Sequence, residues 1–294
     1  MTENYNKSGT CGNACVQNEI RSVNIHINGA CNYRCKFCFA RNLVREIKTP
    51  EQWEPILREL GSMGIEKVNL AGGEPTMYPW FPEICKLIKE LGFTLSVVTN
   101  GSRIDSAMIE KMKGTVDWIG LSIDSPCNEV EKKIGRQCKG IDHIANVIKV
   151  ADMARAASIK VKLNITVVRQ SWNSDFTGII KRTAPERVKA FQVLKVEGEN
   201  ENTFDECSVT HEQWLSFTSR HENIVLENGE KMVFEGGDAM IDSYLMLDPI
   251  GRIMRNSGNK QSFIPFEGLE SLDDVVDSEK YVGRGGRYDW RGQK

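Results

Sequence analysis

Apolar positions along this chain recur with one of two periods, and each period predicts one type of element. Residues 22–28 alternate Val23, Ile25 and Ile27 with polar neighbours, and a period of two is typical of a β-strand. Residues 49–60 carry apolar side chains at helical spacing behind a Thr-Pro-Glu start, which is typical of the beginning of a helix. The two patterns alternate along the first two thirds of the chain.

This alternation predicts six strands with helices between them. The predicted strands are residues 22–28, 67–71, 94–99, 118–123, 159–168 and 188–196. The predicted helices are residues 49–60, 80–91, 105–112, 141–157 and 175–182. Strands and helices in this order form a parallel sheet with right-handed crossovers, so we predict an α/β fold, a partial (βα)6 TIM-like barrel. Binding sites in such barrels lie at the carboxyl ends of the strands.

After residue 198 the regular alternation stops, and the pattern predicts an irregular C-terminal extension. The predicted elements are a helix at 212–220, a strand at 224–227 and a hairpin within 242–254 with Pro249-Ile250-Gly251 as its turn. We expect a flexible N-terminus (1–21), the barrel (22–200) and an extension (201–294) that closes the barrel. Residues 281–290 are basic and rich in glycine, so we expect them to become ordered over a ligand.

Composition and charge limit the classes of function. With 294 residues, of which 40% are hydrophobic, the chain is long enough for one large domain, which we expect to be a monomer. The formal net charge of −2 gives no reason to expect a nucleic-acid polymer as partner. Nine irregularly spaced cysteines, no secretory signal and no apolar run of membrane-spanning length indicate a cytoplasmic protein without membrane association.

Three of these cysteines, Cys31, Cys35 and Cys38, follow the first predicted strand at CxxxCxxC spacing. Three thiolates this close in sequence can bind three irons of a [4Fe-4S] cluster and leave the fourth iron without a protein ligand. We do not expect the other six cysteines to be ligands. The alternative is a non-catalytic zinc-binding scaffold, but a structural zinc site needs a fourth ligand, and the nearest candidate, His26, lies in the preceding strand.

Charged residues fall on positions that should face the interior of the barrel. Lys162 and Asn164 share one face of the fifth predicted strand, and Lys189 lies at the start of the sixth. Barrel interiors are normally filled by branched apolar side chains, so inward lysines indicate an anionic ligand. A triphosphate would pair with these two lysines and with Lys67 and Arg187. The alternative is that these side chains are solvated, most easily Lys67 and Arg187 at strand edges.

The cysteine segment, followed at once by Phe39, resembles the cluster loop of the radical S-adenosylmethionine (SAM) enzymes. Gly72-Gly73-Glu74-Pro75, after the second predicted strand, resembles the motif with which that superfamily holds the amino group of SAM. The resemblance implies a [4Fe-4S] cluster and SAM as cofactors. It implies SAM contacts by Phe39, Gly72, Gly73, Glu74, Ser122 and Arg136. The alternatives are a simple turn at the glycine pair, a helix-capping Ser122 and a solvated Arg136.

Less common stretches resemble the viperin family of radical SAM enzymes. They are Glu197-Gly198-Glu199-Asn200, Asp242-Ser243-Tyr244 and Arg284-Gly285-Gly286-Arg287-Tyr288. The resemblance implies nucleotide contacts by Asn24, Lys67, Asn69, Lys162, Asn164, Arg187, Lys189, Tyr244 and Arg284. It implies that Tyr244 lies near the ribose as a proton or hydrogen donor, and that Arg284 closes over the phosphates.

The viperin family carries out a defined reaction, which the resemblance implies here. A 5′-deoxyadenosyl radical would abstract the 4′ hydrogen of CTP, UTP or GTP, and loss of the 3′ hydroxyl would give a 3′-deoxy-3′,4′-didehydro nucleotide used in antiviral defence. The C-terminal extension would cover the nucleotide, and a flavodoxin or ferredoxin would supply electrons. Residues 255–259 depart from the animal pattern of the family, which leaves the base open. One further alternative is a radical SAM enzyme that modifies a peptide or a nucleic acid.

Overall fold

One mixed sheet with helices on its outer side makes up the computed structural model, which describes residues 19–284 and Trp290. The strands are β1 (Ser22–His26), β2 (Lys67–Ala71), β3 (Thr94–Thr99), β4 (Trp118–Ser122), β5 (Lys160–Val167), β6 (Arg187–Gln192), β7 (Val233–Glu235), β8 (Met246–Leu247), β9 (Ile253–Ser257) and β10 (Lys260–Ile264). The helices are α1 (Pro50–Ser62), α2 (Phe81–Glu90), α3 (Ser106–Met112), α4 (Asn128–Lys133), α5 (His143–Ala156), α6 (Thr177–Thr183), α7 (Glu201–Cys207), α8 (His211–His221), α9 (Gly237–Met240) and α10 (Ser278–Gly283).

The strand order confirms the predicted partial barrel and extends it at both edges. Strands β1 to β6 pair in sequence order and are all parallel. Strand β7 continues the parallel sheet beside β6, and β8 pairs in parallel with β1. Strands β9 and β10 follow as antiparallel partners, so the sheet stays open.

Strand β5 shows why the sheet has one apolar and one polar face. Val161, Leu163 and Ile165 are fully buried and belong to the core between the sheet and the helices. Lys162 and Asn164 alternate with them and line the space inside the barrel. This period of two places polar groups where a ligand can bind and leaves the other face for packing.

Helix α1 illustrates how the outer layer is built. The helix begins at Pro50 with Thr49 as its N-cap, as the Thr-Pro-Glu sequence predicts, and Thr49 and Gln52 form a capping box there. Trp53, Leu57 and Leu60, at helical spacing, are almost fully buried in the core. The apolar stripe of the sequence therefore corresponds to the face that packs on the sheet.

Some predicted elements were wrong. Residues 224–227 form no strand; Asn228 and Gly229 turn the chain there, and the strand beside β6 is β7, where Val233 pairs with Lys189. Strand β6 ends at Gln192 rather than at residue 196, and strand β10 and the short helices α4, α7, α9 and α10 were missed. Turn chemistry and pairing with a distant strand, rather than local apolar pattern, decide these positions.

The hairpin of β8 and β9, with its turn at residues 249–251, confirms the predicted hairpin. The next turn reaches the far edge of the barrel, where the N–H of Glu197 donates to the carbonyl oxygen of Asn259 (2.9 Å) and Glu197 forms a bridge with Lys260. The chain after β6 is thus joined to β10. The predicted role of residues 201–294 as a cover over the substrate stays a prediction.

The described part of the chain begins beside its last helix. Ile20 is fully buried, and the N–H of Arg21 donates to the hydroxyl of Tyr281 (3.3 Å). Predictions for residues 1–18, which include Cys11 and Cys15, and for residues 285–289 lie outside the described residues. Within the described part of the chain, no helix has both the length and the apolar composition needed to cross a membrane.

Candidate active site

A cavity of about 320 Å³ lies inside the barrel toward the carboxyl ends of its strands. The predicted site residues that line it are Asn24, Cys31, Cys35, Cys38, Phe39, Asn69, Gly72, Gly73, Glu74, Ser122, Arg136, Lys162, Asn164, Lys189 and Tyr244. Lys67, Arg187 and Arg284, predicted with them, do not line it. The fold therefore brings both predicted cofactor motifs and most of the predicted substrate residues around one space.

The cysteine loop is fastened to the loop that follows α4. The N–H groups of Arg34 and Lys36 donate to the carbonyl oxygens of Gly135 (3.1 Å) and Ile134 (2.9 Å). Gly135 has φ +81°, and a Cβ there would lie 2.1 Å from the carbonyl oxygen of Arg34. Glycine is needed at this position because any side chain would push the two loops apart.

The three thiols of the cysteine loop fit a cluster better than a single metal ion. Burial raises the pKa of Cys31, Cys35 and Cys38, and Arg136 opposes this shift at all three, so iron would replace a proton at each sulfur. Within residues 19–284 and 290, no three or more His, Cys, Asp or Glu side chains converge as ligands of one metal ion. In a [4Fe-4S] cluster each thiolate binds a different iron, so such convergence is not required. The zinc alternative lacks this geometric support.

The glycine pair after β2 packs against the segment that leads into the cysteine loop. The N–H groups of Gly73 and Glu74 donate to the carbonyl oxygens of Asn28 (2.8 Å) and Ala30 (2.7 Å). A Cβ on Gly72 would lie 2.5 Å from the carbonyl oxygen of Asn28, and one on Gly73 would lie 2.1 Å from that of Ala30. The close approach of the predicted SAM edge to the cluster loop therefore requires both glycines.

The carboxylate of Glu74 already accepts several hydrogen bonds from the protein. The hydroxyls of Thr76 and Thr99 each donate to its Oε1 (2.6 Å), and the N–H of Asn100 donates to its Oε2 (2.8 Å). Glu74 is only 1% exposed, and these contacts tie the end of β2 to the end of β3. The sequence motif predicts an acceptor for the ammonium of SAM, and here that acceptor is held rigidly and shared with these donors.

Arg136 reaches the cavity from the loop after α4, where a buried ion pair with Asp124 holds it. Asp124 is fully buried and also accepts a hydrogen bond from the N–H of Thr166 (2.6 Å). Burial alone would lower the pKa of Arg136, but the charge of Asp124 raises it above its ordinary value. Arg136 therefore stays charged beside the cysteine loop, which excludes the solvated alternative. Ser122 lines the same cavity from the end of β4.

Phe39 and His26 form an aromatic part of the cavity wall, with ring centres 5.7 Å apart in an edge-to-face arrangement. Phe39 is 42% exposed, so part of its ring is free to contact a ligand. His26 is buried, burial lowers its pKa to about 4, and its Nδ1 has no hydrogen-bond partner among the described residues. His26 shares the polar face of strand β1 with Asn24, and the period-two pattern of that strand indicated that this face would point into the barrel.

Polar side chains from three strands line the deeper part of the cavity. The Nδ2 of Asn69 donates to the Oδ1 of Asn24 (2.7 Å). The Oδ1 of Asn164 is buried and has no hydrogen-bond partner in the part of the chain described. A buried acceptor of this kind is normally satisfied by water or by a ligand donor, and a hydroxyl group is a suitable one.

Four cations meet inside the barrel, and we refer to Lys67, Lys162, Arg187 and Lys189 as the cationic cluster. Burial and the charges of Lys189, Lys67 and Arg187 lower the pKa of Lys162 well below its ordinary value. Burial, with its cationic neighbours, also lowers the pKa of Lys67 to about 7. For Lys189, burial lowers the pKa to about 8 although Glu235 opposes the shift. Such a cluster either loses protons or binds an anion.

The cationic cluster extends from the cavity toward the amino ends of the strands. Lys67 and Arg187 are the first residues of β2 and β6, and each is only 6% exposed, so the solvated strand-edge alternative is wrong for both. The Nζ of Lys67 lies 5.5 Å from the ring centre of Trp118 and 5.4 Å from that of Trp290. These rings flank the end of the cluster farthest from the cysteine loop.

Tyr244 lines the cavity, whereas Arg284 lies behind it. The Nε of Arg284 donates to the carbonyl oxygen of Ser243 (2.9 Å), and its guanidinium carbon lies 3.6 Å from the ring centre of Tyr244. Glu235, which sequence reasoning missed, is fully buried and contacts Arg284, Lys189 and the hydroxyl of Tyr244. No pattern marked Glu235, because the strand that carries it was predicted about nine residues too early.

Comparisons with known proteins point to one superfamily. Residues 25–182 match the sequence model of the Radical SAM superfamily. A protein named S-adenosylmethionine-dependent nucleotide dehydratase from Thermoplasmatales archaeon (strain ISO4-H5) is 48% identical over 274 residues, which cover 92% of this chain and 97% of that protein. The protein of the same name from Flammeovirga pacifica is 31% identical over 93% of this chain and 97% of its own length. RSAD2 of Danio rerio, also named a nucleotide dehydratase, is 31% identical over 92% of this chain and 78% of its own length.

Solved structures with the same fold are more distant in sequence. Streptococcus suis SuiB bound to S-adenosylmethionine superposes with a TM-score of 0.63 at 19% identity, over 91% of this chain and 68% of that one. The anSMEcpe structure with bound AdoMet gives a TM-score of 0.64 at 15% identity, over 90% of this chain and 82% of that one. At this level of identity the two structures are evidence for the fold alone.

Proposed function

Because the chain belongs to the S-adenosylmethionine-dependent nucleotide dehydratases, the viperin family of the radical SAM superfamily, we propose that its substrate is a ribonucleoside triphosphate, one of CTP, UTP and GTP. The product would be the 3′-deoxy-3′,4′-didehydro nucleotide, and its role would be antiviral defence. The [4Fe-4S] cluster and SAM are the cofactors of this family of enzymes.

The cationic cluster is the observation that carries the choice of a triphosphate. Its Lys162 and Lys189 line the same cavity as the cysteine loop and the glycine pair. A peptide or a neutral sugar would leave the buried ammonium of Lys162 without an anionic partner within the described residues, whereas a chain of phosphates extending from the ribose could reach it and the other members of the cluster. The cavity thus offers one end for the cofactors and one end for the phosphates.

The residues of the chain would bind and orient the reactants. Cys31, Cys35 and Cys38 would hold the cluster, and Gly72, Gly73, Glu74, Phe39, Ser122 and Arg136 would hold SAM. When bound, these cofactors supply the 5′-deoxyadenosyl radical that abstracts the 4′ hydrogen of the ribose. Asn24, Asn69 and Asn164 would fix the ribose by hydrogen bonds, which orients its 4′ position toward the cofactor end of the cavity.

Tyr244 would be the catalytic residue of the protein itself. Its ring lines the cavity between the cysteine loop and the cationic cluster, and burial raises the pKa of its hydroxyl well above the ordinary value. The phenol therefore keeps its proton and could donate it to the 3′ hydroxyl as this leaves as water, and one electron from the reductant would then complete the didehydro nucleotide. Arg284 would reach the phosphates only by leaving its present position behind Tyr244.

Product analysis tests the proposed function directly. The chain, reconstituted anaerobically with iron and sulfide, is incubated with SAM, a reductant and each of CTP, UTP and GTP. We expect one triphosphate to give a product lighter by one water, with 5′-deoxyadenosine formed in parallel. Formation of 5′-deoxyadenosine without any dehydrated nucleotide from the three substrates would contradict the choice of substrate.

Nucleotide binding is expected to take up protons, because Lys67 and Lys162 lose much of their charge without an anion. The pKa of Lys67 is about 7 and that of Lys162 is lower than usual, and a bound triphosphate would raise both. At pH 8 we expect uptake of about one to two protons per nucleotide, and affinity should fall as the pH rises above 7. Calorimetry in two buffers of different ionisation enthalpy measures this uptake. SAM binding is the control, and nucleotide binding without proton uptake at pH 8 would contradict the prediction.

We further propose that flavodoxin or ferredoxin reduces the cluster by docking beside the cysteine loop, in a monomer located in the reducing cytoplasm. Exposed Lys132 and Lys133 end α4, and the next residue, Ile134, accepts a hydrogen bond from the N–H of Lys36 in the cysteine loop. Both donor proteins are acidic, so a basic surface at this place favours their approach. The described cysteines are all free thiols, which fits a reducing compartment.

Charge reversal at these two lysines should slow reduction by a protein donor. For the Lys132→Glu, Lys133→Glu double variant we expect a roughly tenfold or larger decrease in the reduction rate by flavodoxin at low salt, since steering by charge acts mainly on association. Reduction by dithionite should not change. The matched control is Lys113→Glu, a surface reversal after α3 at the opposite end of the barrel. An equal decrease in the reduction rate of both variants would contradict a docking site at α4.

A further inference from the structure

Glu235 lies where the phosphate end of the cavity meets its catalytic end. It is the last residue of β7, pairs in register with Phe191 of β6, and is fully buried. It does not line the cavity, but two of its contacts, Lys189 and Tyr244, do. Glu235 therefore contacts Lys189 and Tyr244 from the side away from the cavity.

The carboxylate of Glu235 is ionised although it is buried. Burial would raise its pKa, but the charges of Lys189 and Arg284 and a hydrogen bond from Tyr244 lower it below the ordinary value. Its Oε1 contacts the ammonium of Lys189 and lies 3.7 Å from the guanidinium of Arg284. A buried carboxylate with two cations and one hydroxyl as partners has a fixed position.

A comparison of the pKa of Lys162 with that of Lys189 shows the effect of the Glu235 carboxylate. Lys162 has no salt bridge within the described residues, and its pKa falls well below the ordinary value. Lys189 is equally enclosed, but Glu235 raises its pKa against the effect of burial and holds it at about 8. At pH 7, Glu235 therefore keeps most of Lys189 in its charged form before any phosphate binds.

Glu235 also determines where the hydroxyl of Tyr244 points. The hydroxyl donates its hydrogen bond to Oε2 of Glu235, and it accepts one from the Nζ of Lys189 (3.4 Å). The Tyr244 ring is held from its other side by Arg284, 3.6 Å away, which Glu235 also contacts. The Glu235 carboxylate thus fixes the orientation of the proposed proton donor, Tyr244, and of a proposed phosphate ligand, Lys189.

We propose that Glu235 is the positioning residue that aims Tyr244 at the ribose and Lys189 at the phosphates. The inference rests on the proposed function, since it assigns ribose and phosphates to the two partners. Without the carboxylate, Lys189 becomes neutral at a lower pH, and the Tyr244 ring is free to turn away from the reacting carbon. Substrate binding and productive use of the radical should then both suffer.

The pH at which Lys189 loses its proton depends on every charged or titratable group near it. These groups are Glu235 from β7, Arg284 after α10, Tyr244 before β8, Arg187 from β6, Lys162 from β5 and Lys67 from β2. Glu235 is the only carboxylate among them that touches Lys189 in the described structure. Removing its charge leaves Lys189 among cations, so the loss of its own proton moves to lower pH.

The test compares Glu235→Gln and Glu235→Asp with Tyr244→Phe, which keeps the Glu235 to Lys189 ion pair. We measure the nucleotide Kd between pH 6 and pH 9, and the ratio of 5′-deoxyadenosine to dehydrated nucleotide. For Glu235→Gln we expect affinity to decline at lower pH than in the wild type, with about tenfold weaker binding at pH 8 and a raised ratio. Tyr244→Phe should raise the ratio but keep the wild-type pH profile, and Glu235→Asp should restore most of that profile.

Other outcomes would contradict either this inference or the proposed function. A Glu235→Gln variant that binds SAM normally and keeps both the wild-type pH profile and the wild-type ratio would overturn the inference. If Glu235→Gln does not fold, Glu235→Asp decides: its carboxylate keeps the charge near Lys189 but is one methylene shorter and should not hold the hydroxyl of Tyr244, so a wild-type ratio in that variant is equally contrary to a positioning role. A wild-type enzyme that binds no nucleotide at any pH would instead overturn the proposed function.

Discussion

Replacing any one of Cys31, Cys35 or Cys38 by alanine is expected to abolish 5′-deoxyadenosine formation, to less than about 1% of the wild-type rate. Three thiolates are the minimum that binds three irons of the cluster and leaves the fourth iron open for SAM. Loss of one thiolate should therefore abolish 5′-deoxyadenosine formation rather than slow it. The measurement is 5′-deoxyadenosine formed by anaerobically reconstituted protein, together with its iron content and visible absorption.

Cys138 provides the matched control for this experiment. Its sulfur lies 3.9 Å from Nδ2 of Asn32 in the cysteine loop, so it is a neighbouring thiol that could replace a missing ligand. We expect Cys138→Ala to keep its iron and its activity. If Cys138→Ala lost its cluster while Cys38→Ala retained one, the assignment of ligands would be wrong.

The second large effect is expected at Lys162. Its ammonium would be fully desolvated against the bound phosphates, so Lys162→Ala should weaken nucleotide binding by about 2 to 5 kcal/mol. The ligand-free variant should be as stable as the wild type or more stable, because the change removes a buried amine whose charged form has no salt bridge within the described residues. Calorimetric titration with nucleotide and a thermal melt without it measure the two effects.

Lys160 is the control within the same strand. It lies two residues earlier in β5, is partly exposed, and its Nζ contacts the ring of Trp118 at 5.0 Å rather than the cavity. Lys160→Ala should change nucleotide affinity by less than about 1 kcal/mol. Similar losses for Lys160→Ala and Lys162→Ala would indicate a general effect of charge rather than a contact with phosphate.

The sequence predicted the fold well where local pattern and tertiary structure coincide. Strands β2 and β3 begin and end at the predicted residues, because glycine or polar turns bound each apolar run. Strand β7 was misplaced because its pairing with Lys189 and Phe191 of β6 outweighs its weak local pattern. Extended runs that depend on a distant partner cannot be located from their own residues.

Some residues of the candidate site could likewise be predicted from the sequence, and others could not. Cys31 and Gly72 belong to motifs with fixed spacing, and Lys162 was recognisable as a cation on a strand that should be buried. Glu235 has no such mark, since a glutamate in an extended segment is usually solvated, and only its approach to Lys189 gives it a function. The place of Arg284 behind Tyr244 follows from packing of the C-terminal extension, which no local pattern describes.

The pairing of β1 with β8 has a consequence for biosynthesis. These neighbours in the sheet are separated by about 220 residues of sequence, so β1 keeps one open edge until the intervening residues and β8 have left the ribosome. A nascent chain in this state can pair wrongly with other chains. The cysteine loop follows β1 directly, and completion of its surroundings waits for the same late strand. We therefore expect iron to be loaded into this enzyme after translation, on a chain that chaperones have protected until then.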